Sequence, residues 1–227
     1  LQAFPPSLVA DAGFDVLAHA LEACAATGAG AMTDLLAREA FSVVYANLPA
    51  SFAGRTDVRL KIHRAATLAG LSFTQAGLGL CHAMAHALGG MFHVPHGRLN
   101  TILLPSIVGV NAQAVGHKYA EVARAAGISG SAEQIAVRNL KNGLIRLRKE
   151  LGLPENLVRA IDGIAQVIFI IDAEIIIDAH EPADLGGRGG CIACNGGNIA
   201  FKFLDAALQF TAGEEVLGQN GFHQIIR

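Results

Sequence analysis

The sequence has little charge, few cysteines and no long apolar run, and each shortage argues against a class of protein. Of its 227 residues only 16% are charged, and the net charge is −2 without a basic run, which argues against a nucleic-acid partner. The four scattered cysteines (Cys24, Cys81, Cys191 and Cys194) are too few for a disulfide framework, so we expect a reducing, cytoplasmic location. No stretch of about eighteen uninterrupted apolar residues occurs, so we expect no membrane span.

What the sequence does have is apolar residues, which make up 52% of the chain and are enough for a substantial core. The first residue is Leu1 rather than a methionine, and no signal-peptide pattern follows it. That start leads us to expect a fragment of a longer protein.

Apolar residues recur at three- and four-residue spacing up to about residue 158, which predicts amphipathic helices. Phe14 and Leu21 belong to the apolar stripe of the first helix, whose expected N-cap is Asp11. Pro49 is expected to lie just past the end of the second helix. The predicted helices span residues 12–26, 32–48, 58–76, 80–91, 97–112, 117–127 and 131–152. We therefore expect an all-α helical bundle over residues 1–157.

Residues 158–227 differ in composition and are expected to form an atypical tail, rich in isoleucine and glycine, to which we assign no structure. The isoleucine-rich segment 167–178 resembles one or two strands more than a helix. The glycines of 186–190 indicate a flexible loop. Cys191 and Cys194 form a Cys-x-x-Cys pair, but no second pair accompanies them, so an inert pair is the better interpretation.

The segment LCHAMAHALGGMFHVPHG (residues 80–97) places four histidines in an apolar, glycine-rich context. An unsatisfied polar group in a core costs about 1–3 kcal/mol, so these imidazoles either lie on a wet surface or converge on a ligand. His82 and His86 are four residues apart and share one face of the predicted helix. A proline and a glycine bracket His96 in a turn that can bring its ring back toward His82.

Asp15 and His19 have the same four-residue spacing on the first predicted helix. One carboxylate and three imidazoles suit a divalent transition metal such as Fe²⁺ or Zn²⁺. A single histidine on a helix is more often a surface or hydrogen-bonded core residue, and helical geometry produces His-x-x-x-His freely. The zinc-protease interpretation fails because Ala83 stands where that mechanism requires a glutamate. The joint pattern on two helices and a turn is what favours metal binding.

Three segments together resemble one family: GFDVLAHALEA, AGLGLCHAMAHALGG and PHGRLNTILLPSIVGVN. In order and spacing they are similar to the metal-binding domain of the iron-containing (group III) alcohol dehydrogenases. The similarity is greatest to the propanol and ethanol dehydrogenases of bacterial microcompartments. It covers residues 1–125, and the weaker match LRKELGLPENL extends it to residue 157.

The resemblance implies roles for individual histidines. It implies His86 as a catalytic residue near the reacting nicotinamide, in a proton-relay or substrate-contacting role. His93 falls at a variable place in the motif and is interpreted as structural or as lining the cleft, whereas His63 and His117 match nothing and are expected at the surface. The implied ligands of the Fe²⁺ or Zn²⁺ ion are Asp15, His19, His82 and His96.

The resemblance also implies a reaction, in which an NAD(P)-dependent enzyme interconverts short primary alcohols and aldehydes by metal-assisted hydride transfer. In the family NAD(P) binds an N-terminal α/β domain, which we expect to be absent from this chain, and we identify no cofactor-binding residue here.

Leu99 stands where the family has a small residue, and the tail lacks the family's Asn-Pro-Arg-like turn. The alternative is a catalytically silent helical metal-binding module. The resemblance allows a homodimer and packaging inside a bacterial microcompartment.

Overall fold

Helices form the part of the chain that the computed structural model describes, which is residues 4–160. No strand occurs in this range, so the predicted all-α helical bundle is confirmed for it. The strand, loop and Cys-x-x-Cys predictions lie outside the described residues, and the division at residue 157 stays a prediction. The helices are α1 (Pro6–Ala25), α2 (Ala31–Phe52), α3 (Thr56–Ala76), α4 (Leu80–Phe92), α5 (His96–Ala125), α6 (Glu133–Glu150) and α7 (Leu157–Ala160).

Helix α1 lies at the centre of the packing and contacts α2, α3, α4 and α5. The predicted apolar stripe is buried, with Phe14, Leu17 and Leu21 all fully shielded from solvent. Burying a side chain of this size contributes about 1.5–3 kcal/mol each. The central position of α1 also means that the polar side chains of its other faces meet several helices at once.

The prediction that Asp11 is the N-cap of α1 is wrong. Helix α1 begins at Pro6, six residues before the predicted start at residue 12, and a proline fits there because the first helical N–H has no partner in any case. Asp11 is buried inside the helix, and its carboxylate accepts hydrogen bonds from Arg98 on α5, with Nε–Oδ1 and Nη2–Oδ2 distances of 3.3 and 3.0 Å. This ion pair ties α1 to the beginning of α5.

The prediction that Pro49 lies past the end of α2 is also wrong, because α2 continues for one more turn to Phe52. A proline in a last turn removes one backbone hydrogen bond, and the Ala53 N–H still bonds the Pro49 carbonyl at 2.9 Å. The two predicted helices 97–112 and 117–127 form one helix, α5, with a kink between them at Val115 (φ −126°, ψ 22°).

Helix α5 is long and apolar enough to cross a membrane by length and composition. More than half of its apolar window, 56%, is buried within the fold, which is typical of a core helix. The interior-facing residues Leu99, Leu103 and Leu104 are among the least exposed in the described chain.

The beginning of α5 approaches the α1 backbone closely at Gly97. A Cβ built on Gly97 would collide with the backbone carbonyl of Asp11, an atom that cannot move aside as a side chain can. We therefore expect Gly97→Ala to lower the free energy of unfolding by about 1–3 kcal/mol, the usual cost of overpacking a core. Urea unfolding followed by circular dichroism measures this change.

Gly70, in the middle of α3, is the matched control for this substitution because a Cβ there meets nothing within 4 Å. Gly70→Ala is expected to raise stability by up to about 1 kcal/mol through helix propensity alone. Equal stability of Gly97→Ala and the natural chain would contradict the close approach of α1 and α5.

Candidate metal centre

Three helices bring the predicted site residues together. Asp15 and His19 lie one turn apart on α1, His82 lies in the first turn of α4, and His96 is the first residue of α5. Only residues 93–95 connect α4 to α5, so the chain reverses tightly between His82 and His96. The reversal begins at His93, the C-cap of α4, which adopts the left-handed conformation with φ 56°.

Asp15 is the centre of this group. Its Oδ1 lies 3.5 Å from Nε2 of His82 and 3.4 Å from Nε2 of His96, and its Oδ2 lies 3.8 Å from Nδ1 of His19. One ligand atom from each of Asp15, His19 and His82 lies within 4.8 Å of the other two. His96 stands outside that closest group of three and joins it through Asp15.

Two of these separations, from Asp15 Oδ1 to Nε2 of His82 and to Nε2 of His96, match the spacing of ligands around one small ion. Around an ion bound at 2.0–2.1 Å by four ligands, the corners of the tetrahedron lie about 3.4 Å apart. A set of imidazole nitrogens and one carboxylate suits Fe²⁺ or Zn²⁺ better than Mg²⁺ or Ca²⁺, which prefer oxygen alone. The residues fit such an ion, and their assignment as its ligands stays a prediction.

One side of the cluster is open. The His82 side chain is only 3% exposed, whereas Asp15 and His96 are 27% and 34% exposed. Structural zinc sites are closed by protein ligands, whereas catalytic metal sites leave room for a substrate on one side. The exposure of Asp15 and His96 therefore favours a site that a small molecule can reach.

Asn100, a fully buried residue one turn after His96, belongs to the cluster although the sequence did not predict it. Its Nδ2 donates to Asp15 Oδ1 at 2.7 Å and lies 3.1 Å from His96 Nε2 and 3.4 Å from His82 Nε2. The amide nitrogen thus lies against the three atoms that would face a bound cation. A buried asparagine on an apolar helix is a signal for such a partner, because buried amides need hydrogen bonds.

Glu22 on α1, which lies beneath His82, was likewise not predicted from the sequence. It is 1% exposed, and its Oε2 lies 2.6 Å from Nδ1 of His82. The available signal was one acidic residue within the apolar sequence LEACA, since an unpaired glutamate is almost never fully buried.

The charges in the cluster set the pKa values of its histidines. Burial lowers the pKa of His82, but its hydrogen bonds to Asp15 and Glu22 outweigh burial and raise that pKa to about 9. Burial lowers the pKa of His19 to about 4, against the attraction of Asp15, and burial also lowers the pKa of His96. At neutral pH the metal-free cluster therefore holds its extra proton on His82, and a metal ion that binds its Nε2 must displace it.

These shifts predict that the metal-free chain is most stable near pH 6.5. The raised pKa of His82 gives stability that is complete below the unfolded value of 6.5 and is lost as pH rises toward 9. The lowered pKa of His19 removes stability as pH falls from 6.5 toward 4, because only the unfolded chain takes up that proton readily. We expect a loss of roughly 1 kcal/mol between pH 6.5 and 8, and a similar loss between pH 6.5 and 5.

Urea unfolding of the chelator-treated chain at these three pH values measures the effect. His82→Gln is the control for the alkaline side, since it removes the titrating ring and should abolish the loss between pH 6.5 and 8. A free energy of unfolding that stays constant across this range in the natural chain would contradict the proton's place on His82.

Among residues 4–160, the other histidines lie outside the closest group. His86 is exposed on α4, with its ring centroid 4.7 Å from that of His96 and 6.2 Å from that of His82. His93 is exposed, and its place as the C-cap of α4 accords with a structural role. His63 and His117 are exposed, as predicted. The half-buried ring of Phe73 stacks on His19 with a centroid distance of 4.5 Å.

The fold and this cluster define a class of protein, an all-helical domain that gathers histidines and a carboxylate from three helices. Residues 9–165 match the model of the Fe-containing alcohol dehydrogenase family, C-terminal. The chain belongs to this family, and the predicted resemblance is confirmed.

Individual relatives agree with this assignment. The chain is 37% identical over 156 residues to the NADPH-dependent butanol dehydrogenase of Clostridium saccharobutylicum, covering 69% of this chain and 40% of the relative. It is 44% identical over 151 residues to the 1-propanol dehydrogenase PduQ of Salmonella typhimurium, covering 64% and 41%. The crystal structure of a 1,3-propanediol oxidoreductase superposes with a TM-score of 0.67 at 34% identity, covering 70% of this chain and 43% of that one. The chain thus spans about two fifths of the length of these relatives.

Proposed function

We propose that this chain provides the metal-binding half of an NAD(P)-dependent alcohol dehydrogenase that interconverts short primary alcohols and aldehydes. The observation that carries the proposal is the convergence of Asp15, His19 and His82, with His96 beside them, on the open side of the bundle. The family membership supports it, as do the relatives named for butanol and 1-propanol. We propose Fe²⁺ as the ion, with Zn²⁺ as the competing choice because it binds such ligands at least as tightly.

Each site residue has a distinct task in the proposed reaction. When bound, the ion acts as a Lewis acid on the alcohol or aldehyde oxygen, while nicotinamide accepts or supplies the hydride. Asp15 offers the negative charge that holds a cation among the imidazoles. The stack of Phe73 on His19 limits rotation of that ring.

His86 is the proposed proton carrier. Its ring is exposed and lies beside His96, so it has access both to the open side of the cluster and to bulk water. An imidazole there can take a hydroxyl proton at one ring nitrogen during alcohol oxidation and return it during aldehyde reduction.

A second candidate is a catalytically silent metal-binding module. One observation favours it for the chain alone: residues 4–160 form helices only, and so this part supplies no strand–turn–helix for a dinucleotide. The two candidates differ in whether a nucleotide-binding partner domain restores turnover.

A chimera separates the two. The part of Salmonella 1-propanol dehydrogenase that precedes its matched region is joined to this chain, loaded with Fe²⁺ or Zn²⁺ without oxygen, and assayed for oxidation of NADH or NADPH by propionaldehyde. The proposal predicts turnover that disappears in the Asp15→Ala chimera. A chimera that folds and binds metal but reduces no short aldehyde would instead support the silent module.

We propose that the protein lies in the cytoplasm, and as an alternative to a free enzyme we propose packaging in a bacterial microcompartment. The low cysteine content supports a reducing compartment, and the similarity to propanol dehydrogenases supports packaging. Co-sedimentation of the protein with purified microcompartment shells from its host tests that alternative, and recovery only in the soluble fraction would reject it.

A further inference from the structure

Glu22 collects three hydrogen bonds on one buried carboxylate. The backbone N–H of Cys81 donates to its Oε1 at 2.6 Å, and the backbone N–H of His82 donates to its Oε2 at 3.1 Å. The ring Nδ1 of His82 lies 2.6 Å from the same Oε2. Glu22 is thus bound both to the beginning of α4 and to the imidazole that this helix carries.

The beginning of α4 explains why a carboxylate is tolerated there. The N-cap of α4 is Gly79, which has no side chain to bond the free N–H groups of the first turn. Glu22 supplies the acceptor from another helix, and the positive end of the helix dipole favours its charge. A buried carboxylate without such donors would be costly. The Glu22 carboxylate is therefore held in the one orientation that keeps these hydrogen bonds.

Gly79 also makes room for the carboxylate. A Cβ built on Gly79 would lie 2.8 Å from Glu22 Oε1, closer than such atoms approach each other. Because the obstructing atom is the end of a side chain, an alanine at this position would push the carboxylate aside rather than break the helix.

We propose that Glu22 is the positioning residue that orients His82 for metal binding, a role that rests on the proposed metal centre. By accepting a hydrogen bond from Nδ1, Glu22 turns Nε2 toward Asp15 Oδ1, 3.5 Å away, so that Nε2 faces the proposed ion once its own proton has left. The two backbone hydrogen bonds fix the carboxylate itself, so the ring cannot turn without breaking its hydrogen bond to Glu22. A histidine without this partner would spread over several ring orientations and over both tautomers.

The test measures Co²⁺ binding by the full chain, using competition with a chromophoric chelator and the visible spectrum of the bound ion. Removal of an outer partner of a metal-binding histidine typically weakens affinity about 10–100-fold. We expect this weakening, with an altered Co²⁺ spectrum, in Glu22→Gln, because an amide offers one acceptor oxygen where three donors converge. Gly79→Ala should weaken affinity in the same direction but less, since it displaces the carboxylate and keeps its charge.

Leu144→Ala is the matched control for stability. It creates a cavity under α6, which carries none of the site residues, and should lower the Tm while leaving the Co²⁺ affinity and spectrum unchanged. If Glu22→Gln behaves like this control, Glu22 is only a helix cap and the positioning role is overturned. A natural chain that binds no Co²⁺ would overturn the metal centre itself, whereas tight binding by both the natural chain and Glu22→Gln would overturn the role of Glu22 alone.

Discussion

Replacing His82 with alanine is expected to weaken Zn²⁺ or Fe²⁺ binding by more than about 100-fold. The loss should exceed the 10–100-fold that removal of an outer partner causes, because the change removes a proposed ligand and not only its support. His82 is also the most buried of the four proposed ligands, at 3% exposure, and it lies between Asp15 and Glu22. Isothermal titration or chelator competition on the full chain measures the affinity.

His63→Ala is the control for this substitution because His63 is exposed on α3 and outside the cluster. It should change the metal affinity less than twofold. Circular dichroism on both variants separates loss of a ligand from loss of the fold. Unchanged affinity in a folded His82→Ala variant would remove His82 from the ligand set.

Replacing His86 with alanine is expected to lower turnover of the chimeric enzyme by about 10²–10⁴-fold with little change in metal content. That range is what a positioned general acid or base typically contributes. The structure gives His86 the required place, exposed and 4.7 Å from His96 between ring centroids, without bringing it into the closest group. Turnover, metal content and Tm measured on one preparation test the assignment.

His93→Gly is the matched control, since His93 is exposed just past the end of α4 and glycine keeps its left-handed backbone conformation. It should leave turnover nearly unchanged. If His86→Ala instead lowers the Tm and keeps full turnover per folded molecule, His86 is a packing residue. Loss of metal from His86→Ala would make it a ligand, and the proposed proton transfer would then be wrong.

The parts of the fold that depend on local sequence were predicted well. Helix periodicity located α4 to within one residue, and four-residue spacing placed Asp15 next to His19 and His82 near His86. The tight turn before Gly97 correctly indicated that His96 returns toward His82, whose ring centroid lies 5.2 Å away.

The parts that depend on distant partners were predicted poorly. Aspartate is a common N-cap residue, but the partner of Asp11 is Arg98, 87 residues away, and no local sequence pattern indicates such a pair. The roles of Glu22 and Asn100 were missed for the same reason, because they depend on contacts with other helices that the sequence does not show. Pro49 was misplaced because the sequence does not show whether packing extends a helix by one turn beyond a proline.

X-ray absorption of the Zn²⁺-loaded full chain tests the metal centre most directly. For the proposed centre we expect only nitrogen and oxygen ligands, at about 2.0–2.1 Å, with the outer scattering of about three imidazole rings. The same spectrum from His82→Ala should show one ring fewer or no bound zinc. Sulfur at about 2.3 Å, which would indicate cysteine ligands, or a shell of oxygen without imidazole, would contradict the proposed centre.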